Sequence, residues 1–187
     1  MRSDVMGKGV KIARMINFLG ESDKMWDMSR MEIDASLAFI KVYEAWSRGD
    51  ASLLPAALIF PAMIEELKGL IEKRKADGIQ LEFRNLCIRK VDIVLVNNKK
   101  DGKEDEFVVR FSAHAQKKMI KGQEIIYSDE YVKPFTEYWC FGRGPEKWQL
   151  KEILAKGEGE LAIDKENSDE ESGPMLLQWY YTKKRPY

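Results

Sequence analysis

The stretch from Pro134 to Ile153, PFTEYWCFGRGPEKWQLKEI, constrains the fold of this chain more than any other. Phe135, Trp139 and Phe141 recur near one side of a period-two pattern, with Thr136, Tyr138 and Cys140 on the other, which is the alternation of a strand in a sheet. Gly142, Gly144 and Pro145 supply turn chemistry before Lys147-Trp148-Gln149-Leu150 resumes the alternation. The stretch predicts a hydrophobic hairpin at the centre of an antiparallel sheet, and the residues upstream must supply what packs on it.

Three helices are expected ahead of that sheet. Residues Arg2 to Gly20 place Val5, Ile12, Ile16 and Leu19 on one face with Lys8, Lys11 and Arg14 around it, although Gly7 and Gly9 weaken the first turns. Such a basic amphipathic segment can lie in a membrane interface, dock on its own domain, or pair with a second copy. From Ser29 to Arg48 the stripe is cleaner: Ala35, Phe39, Val42, Tyr43 and Trp46 share a face, Asp34, Lys41, Glu44 and Arg48 lie away from it, and Gly49 ends the helix. Asp50 is a natural cap for a short turn at Ala51 to Leu54. Pro61 suits the first turn of a third helix carrying Ile64, Leu67, Leu70 and Ile71 inward, and Lys73-Arg74-Lys75 at its end offset the negative pole of the helix dipole.

Strand patterns follow. Leu81 to Asn97 reads as one long strand, or two, with a bulge near Arg89-Lys90, and Asn97 to Gly102 turns the chain back. Next, Phe107, Val109, Phe111, Ala113 and Ala115 alternate with Val108, Arg110, Ser112, His114 and Gln116, so the sheet has a helix-covered side and a more polar one. Lys117 to Lys133 is expected to be a loop with a short edge strand at Ile125-Ile126-Tyr127. Beyond Leu154 the pattern fades into a linker that turns acidic from Asp164 to Glu171. It ends in Met175-Leu176-Leu177-Gln178-Trp179-Tyr180-Tyr181 and Lys183-Lys184-Arg185.

Composition narrows the function classes. Thirty-one basic and thirty-one acidic residues cancel, so no global field would recruit nucleic acid, and no nucleic-acid partner is expected. With one histidine, His114, and no CxxC or HxxxH spacing, no metal site is expected. Cys87 and Cys140 both fall in strand patterns, where a buried thiol is the first reading. No apolar run approaches the roughly 20 residues that span a bilayer, and no leader is apparent at the start.

The wording of the hairpin goes beyond its periodicity. Thr136-Glu137-Tyr138-Trp139, Phe141, Arg143 and then Trp148-x-Leu150-x-x-Ile153 resemble the closing signature of the Tim44-like domain family, named for a subunit of the mitochondrial inner-membrane import machinery. Tyr43-Glu44-Ala45-Trp46-Ser47-Arg48-Gly49-Asp50 with Leu53-Leu54 is similar to the family's helix junction. Ile64 to Lys68 with Ala76-Asp77-Gly78 resembles its second long helix, and Phe107 to Ala113 its preceding strand. The resemblance covers roughly residues 28–154. It implies an α+β, cone-shaped fold of the nuclear-transport-factor-two type, with helices packed on a bent antiparallel sheet. The expected organisation is an N-terminal amphipathic helix over 1–27, the cone domain over 28–157, and an acidic linker with its aromatic and basic tail over 158–187.

The implied function is a noncatalytic adaptor, peripheral on the cytoplasmic side of an inner or cytoplasmic membrane and linked to protein translocation or membrane-protein biogenesis. An anionic membrane surface is the expected partner, met by Lys8, Lys11 and Arg14 for charge and Ile12 and Ile16 for burial. A homodimer through the first helix, by Ile12, Ile16 and Leu19, is the competing use of that face. The identity of a protein partner is not written in the residues. Trp46, Phe111, Glu137 and Trp139 are expected to line the cone, which could hold a protein segment or an acyl chain. No catalytic residue and no cofactor are expected. A cone-fold isomerase or dehydratase, or a soluble small-molecule binder, is the alternative, and it would need a titrating group such as Glu137 or His114 inside the cone.

Overall fold

The computed structural model describes residues 2–171. The tail expected over 175–187 lies outside them. The order of elements is α1 (Arg2–Ser22), α2 (Met28–Arg48), a 3-10 turn (Ala51–Leu53), α3 (Pro61–Ala76), β1 (Ile79–Asn98), β2 (Glu106–Lys121), β3 (Glu124–Ser128), β4 (Lys133–Arg143), β5 (Trp148–Leu154), α4 (Lys156–Asp164) and β6 (Ser168–Asp169).

Local chemistry explains the helix boundaries. Asp27 caps α2 by accepting from the Arg30 N–H at 2.8 Å. Gly49 closes the helix with φ +62°, a left-handed conformation that a side chain resists. Asp50 accepts from the Ser52 N–H to start the 3-10 turn, and Pro61 opens α3.

The sheet runs β5-β4-β2-β1-β6 and is antiparallel except for the short parallel β1–β6 pair, with β3 added alongside the far end of β2. The β1–β2 ladder shifts register at Arg84/Cys87, Ile88/Lys90 and Ile93/Leu95. Three irregularities in one strand pair bend it, which turns a flat sheet into a cone. The expected bulge near Arg89-Lys90 is one of them. Asn85, with φ +54°, sits in another.

The concave face carries the main core. Phe39 of α2 meets Phe111 at 4.7 Å and Trp139 at 5.1 Å between ring centroids. Phe107 stacks on Phe141, and Trp148 sits edge-on to Phe107. The free edge of β5 is covered by the chain before α3: Leu150 N–H donates to Leu58 O and Phe60 N–H donates to Leu150 O. A second, smaller core lies on the convex face, where Val94, Leu95, Val108, Tyr138 and Cys140 pack under Ala162 and Ile163 of α4.

Two expected boundaries differ from the structure. The first helix is not a separate appendage, because Ile12, Met15, Ile16 and Leu19 are buried in the main core. Spacing of i, i+3, i+4 and i+7 is the interior face of a docked helix. The first part of the expected linker is also structured. Residues 156–164 form α4 and 168–169 add β6 beside Asn97 and Asn98. Gly159 permits this, since a Cβ there would stand 2.1 Å from the Tyr138 ring.

Candidate functional site at the mouth of the cone

A cavity of about 660 Å³ opens at the wide end of the cone. The second half of α2 supplies Tyr43 and Trp46, and the end of α3 supplies Leu70 and Arg74. Leu81 and Phe83 come from β1, and Ala115 and Lys117 from β2. Tyr127 and Asp129 stand at the β3 side, and Phe135 and Glu137 enter from β4.

These side chains converge because of strand register. Phe83 pairs with Lys117, and Phe111 pairs with Glu137, so all four project from the concave face. Tyr43 then reaches them from above, with its ring 4.7 Å from Phe83 and 5.0 Å from Trp46, edge-on to both at 72°.

Glu137 is the chemical centre of the cavity. Its Oε1 accepts from the Tyr43 hydroxyl at 2.8 Å, and its Oε2 accepts from the Trp139 indole N–H at 2.9 Å. Burial pushes its carboxyl above the ordinary glutamate range, while the hydrogen bonds from Tyr43 and Trp139 oppose that rise. Burial and the neighbouring carboxylate raise the Tyr43 phenol far above its ordinary value, so Tyr43 remains a donor. At the rim, Asp129 is held down to about 2 by the Lys133 ammonium, the Tyr127 hydroxyl and the Lys117 N–H.

The residues expected in the cone therefore separate into two layers. Trp46 and Glu137 face the cavity, whereas Phe111 and Trp139 are wholly buried behind it. Trp139 still acts on the site through its N–H to Glu137. In the sequence Tyr43 read as part of an apolar helix face and of the helix junction, not as a cavity residue. Its polar tip became a cavity donor because β4 brings a carboxylate opposite it. His114 lies on the convex face, paired with Pro134 and Cys87. Register puts it on the opposite side of the sheet from Glu137, so the two form no acid–base pair.

The five residues expected at a membrane also separate. Lys11 and Arg14 are exposed on α1. Ile12 and Ile16 are each only 1% exposed, so in this conformation neither reaches a membrane or a second copy. Ile12, Ile16 and Leu19 of the expected face, joined by Met15, are covered by the domain's own core. Lys8 is engaged as well: its ammonium donates to the Ala162 and Ile163 carbonyls at 2.9 and 2.7 Å and also to Lys165 O, capping the C-terminal end of α4.

On α1 the large apolar Val10 faces outward, and other exposed ones lie at Ile125, Ile126, Tyr131 and Val132 around β3 and the loop after it; α2 carries a further set in register. Ile33, Leu37 and Ile40, at i, i+4 and i+7 on α2, are 58, 41 and 49% exposed. This stripe was legible in the sequence but masked by the stronger one beside it. Asp34, expected away from the core, is instead buried. It accepts from the Trp148 N–H, and Lys147 lies 4.0 Å away.

Among the described residues no helix is long and apolar enough to cross a membrane, and no group of His, Cys, Asp and Glu could hold a metal ion. Helices packed in the hollow of a bent antiparallel sheet, with a cavity at the open end, define an α+β cone domain. The family model described as the Tim44-like domain matches residues 12–155, and the chain belongs to that family. Among solved structures it is similar to the intermembrane space region of chloroplast protein ARC6, with 14% identity, a TM-score of 0.53, and coverage of 70% of this chain and 98% of that one. At that identity the likeness establishes the fold alone. A dehydratase-type protein of the NTF2-like family from Streptomyces avermitilis is more distant, with 14% identity, a TM-score of 0.34, and coverage of 64% and 89%. No curated protein sequence matches the chain.

Proposed function

We propose that this chain is a noncatalytic adaptor, peripheral on an anionic membrane at the cytoplasmic face of an inner or cytoplasmic membrane. Its work is connected with protein translocation or membrane-protein biogenesis. Membership of the Tim44-like family supports this reading. The observation that carries it is the exposed stripe of Ile33, Leu37 and Ile40 on α2. Three large apolar side chains in a row on an outer helix face are stabilised when something apolar covers them. A lipid interface does so at low conformational cost, and exposed cations such as Lys11 and Arg14 add attraction to anionic headgroups.

The test is flotation with vesicles containing anionic lipid at low and high salt. Deleting α1 is a poor comparison, because it would uncover Ile12, Met15, Ile16 and Leu19 and create a sticky core. Folded point variants are better: Leu37→Asp with Ile40→Asp, and separately Lys11→Glu with Arg14→Glu. The expected result is flotation of the parent chain at low salt, lost in the first variant and weakened in the second. Failure of the parent chain to float rules the membrane role out.

The second reading, a soluble small-molecule binder, is favoured by one feature, the carboxylate of Glu137 inside an apolar cavity. It requires no contact with lipid.

A further inference from the structure

The cavity at the cone mouth is more specific than an apolar hollow. Trp46, Phe83 and Phe135 present partly exposed aromatic rings to it, and the buried Tyr43 ring stands between them. Behind these rings, the Glu137 carboxylate is anchored by donors on both oxygens. Aromatic faces attract cations, and a fixed carboxylate supplies the balancing charge without a hydrated counterion.

The rim has the opposite character. Arg74 donates to the Trp46 carbonyl at 2.9 Å, and the Lys117 ammonium stands 5.9 Å from the Tyr127 ring. Neither Arg74 nor Lys117 is in an ion pair among the described residues, whereas Lys133 beside them is paired with Asp129. A negative interior and two uncompensated cations at the mouth are complementary to a molecule with both charges, cation first.

We propose that this cavity binds an alkylated ammonium ligand that also carries an anionic group. Its ammonium would sit among Tyr43, Trp46, Phe83 and Phe135 against Glu137, and its anion at Arg74 and Lys117. The alkylated form is selected over a primary ammonium by hydrogen bonding. An –NH₃⁺ group brings three donors, and Glu137, which already accepts from Tyr43 and Trp139, keeps only about two of a carboxylate's roughly four acceptor sites for them. A quaternary ammonium needs none. A soluble betaine-like molecule and a phosphocholine headgroup share this chemistry. The proposal does not depend on the membrane reading.

Titration calorimetry on the whole chain tests it with choline, phosphocholine and 3,3-dimethylbutan-1-ol, the uncharged isostere of choline. Choline is expected to bind saturably and at least about tenfold more tightly than the isostere, and phosphocholine more tightly than choline. Glu137→Gln should remove the preference for the cation. Phe83→Leu, which keeps an apolar wall but no ring face, should weaken choline about tenfold and leave the isostere unchanged. Lys117→Gln should remove only the advantage of phosphocholine. Each variant's thermal midpoint reports whether it has folded. Equal binding of choline and its isostere overturns the proposal, as does unchanged choline binding in a folded Phe83→Leu chain or no saturable binding of any of the three. Flotation with neutral phosphatidylcholine vesicles then distinguishes the sources. Glu137-dependent flotation supports a headgroup, and binding of free phosphocholine without flotation supports a soluble ligand. Anionic vesicles address the adaptor reading separately.

Discussion

The Tyr43 hydroxyl of α2 donates to Oε1 of Glu137 on β4 over 2.8 Å, tying the middle of a helix to the inner wall of the cavity. Burial of Glu137, only partly offset by that hydrogen bond, makes it a source of pH-dependent stability. Its folded pKa is raised, so the folded chain holds the proton more readily than the unfolded chain. That contribution is complete below the ordinary glutamate value of 4.5 and is lost as pH rises through the raised value. Urea midpoints measured from about pH 4 to about pH 8 should fall more steeply in the parent chain than in Glu137→Gln. Parallel profiles would show that Glu137 does not titrate in this window.

Arg143 holds a second site of concentrated charge. Its Nε donates to the buried Asp105 carboxylate at 2.9 Å, its Nη2 pairs with Asp23, and its guanidinium lies 5.4 Å from the Trp148 ring. Burial still raises the Asp105 pKa despite that partner. Arg143→Ala leaves Asp105 buried and unpaired and should cost roughly 3–5 kcal/mol, read from chemical denaturation. The double variant Arg143→Ala with Asp105→Asn should recover part of the loss, because the orphaned charge is gone.

Gly159 lies directly on Tyr138, and an added Cβ would fall inside the ring's contact distance. Gly159→Ala should therefore lift α4 from the convex face and cost about 1–3 kcal/mol. Hydrogen exchange should increase in residues 156–165 and in the β4 segment beneath, with the concave core unchanged. Gly157, which has open space around it, is the control: Gly157→Ala should be neutral or stabilising.

The two cysteines should differ sharply in reactivity. Cys87 is exposed, whereas Cys140 is buried under α4, where burial and the Glu106 carboxylate push its thiol up to about 12. A thiol reagent should modify one cysteine per native chain quickly and the second only on unfolding. Two fast thiols would mean that α4 does not cover the convex face. Since Cys87 pairs with His114 and Cys140 with Val108, the two are not strand partners.

Periodicity and punctuation determined the elements. The Pro134–Ile153 alternation, the stop at Gly49, the cap at Asp50 and Pro61, and the bulge near Arg89-Lys90 are local conformational preferences that hold wherever the segment packs. The hairpin wording with the Tyr43–Asp50 junction was enough for the family and its cone. Local preference could not say what would cover each face. The Ile12 and Ile16 face looks the same whether lipid, a second copy or the chain's own sheet buries it, and only packing assigned it to the core. The Gly157–Gly159 run looked like a linker until Tyr138 stood where a side chain would have been. Glu137 was expected in the cone and His114 on the more polar face, with either able to serve as the titrating group of an enzyme. The β2–β4 register put them on opposite faces, because a strand reverses its side chains at every residue and pairing between distant segments sets which reversal meets the cavity.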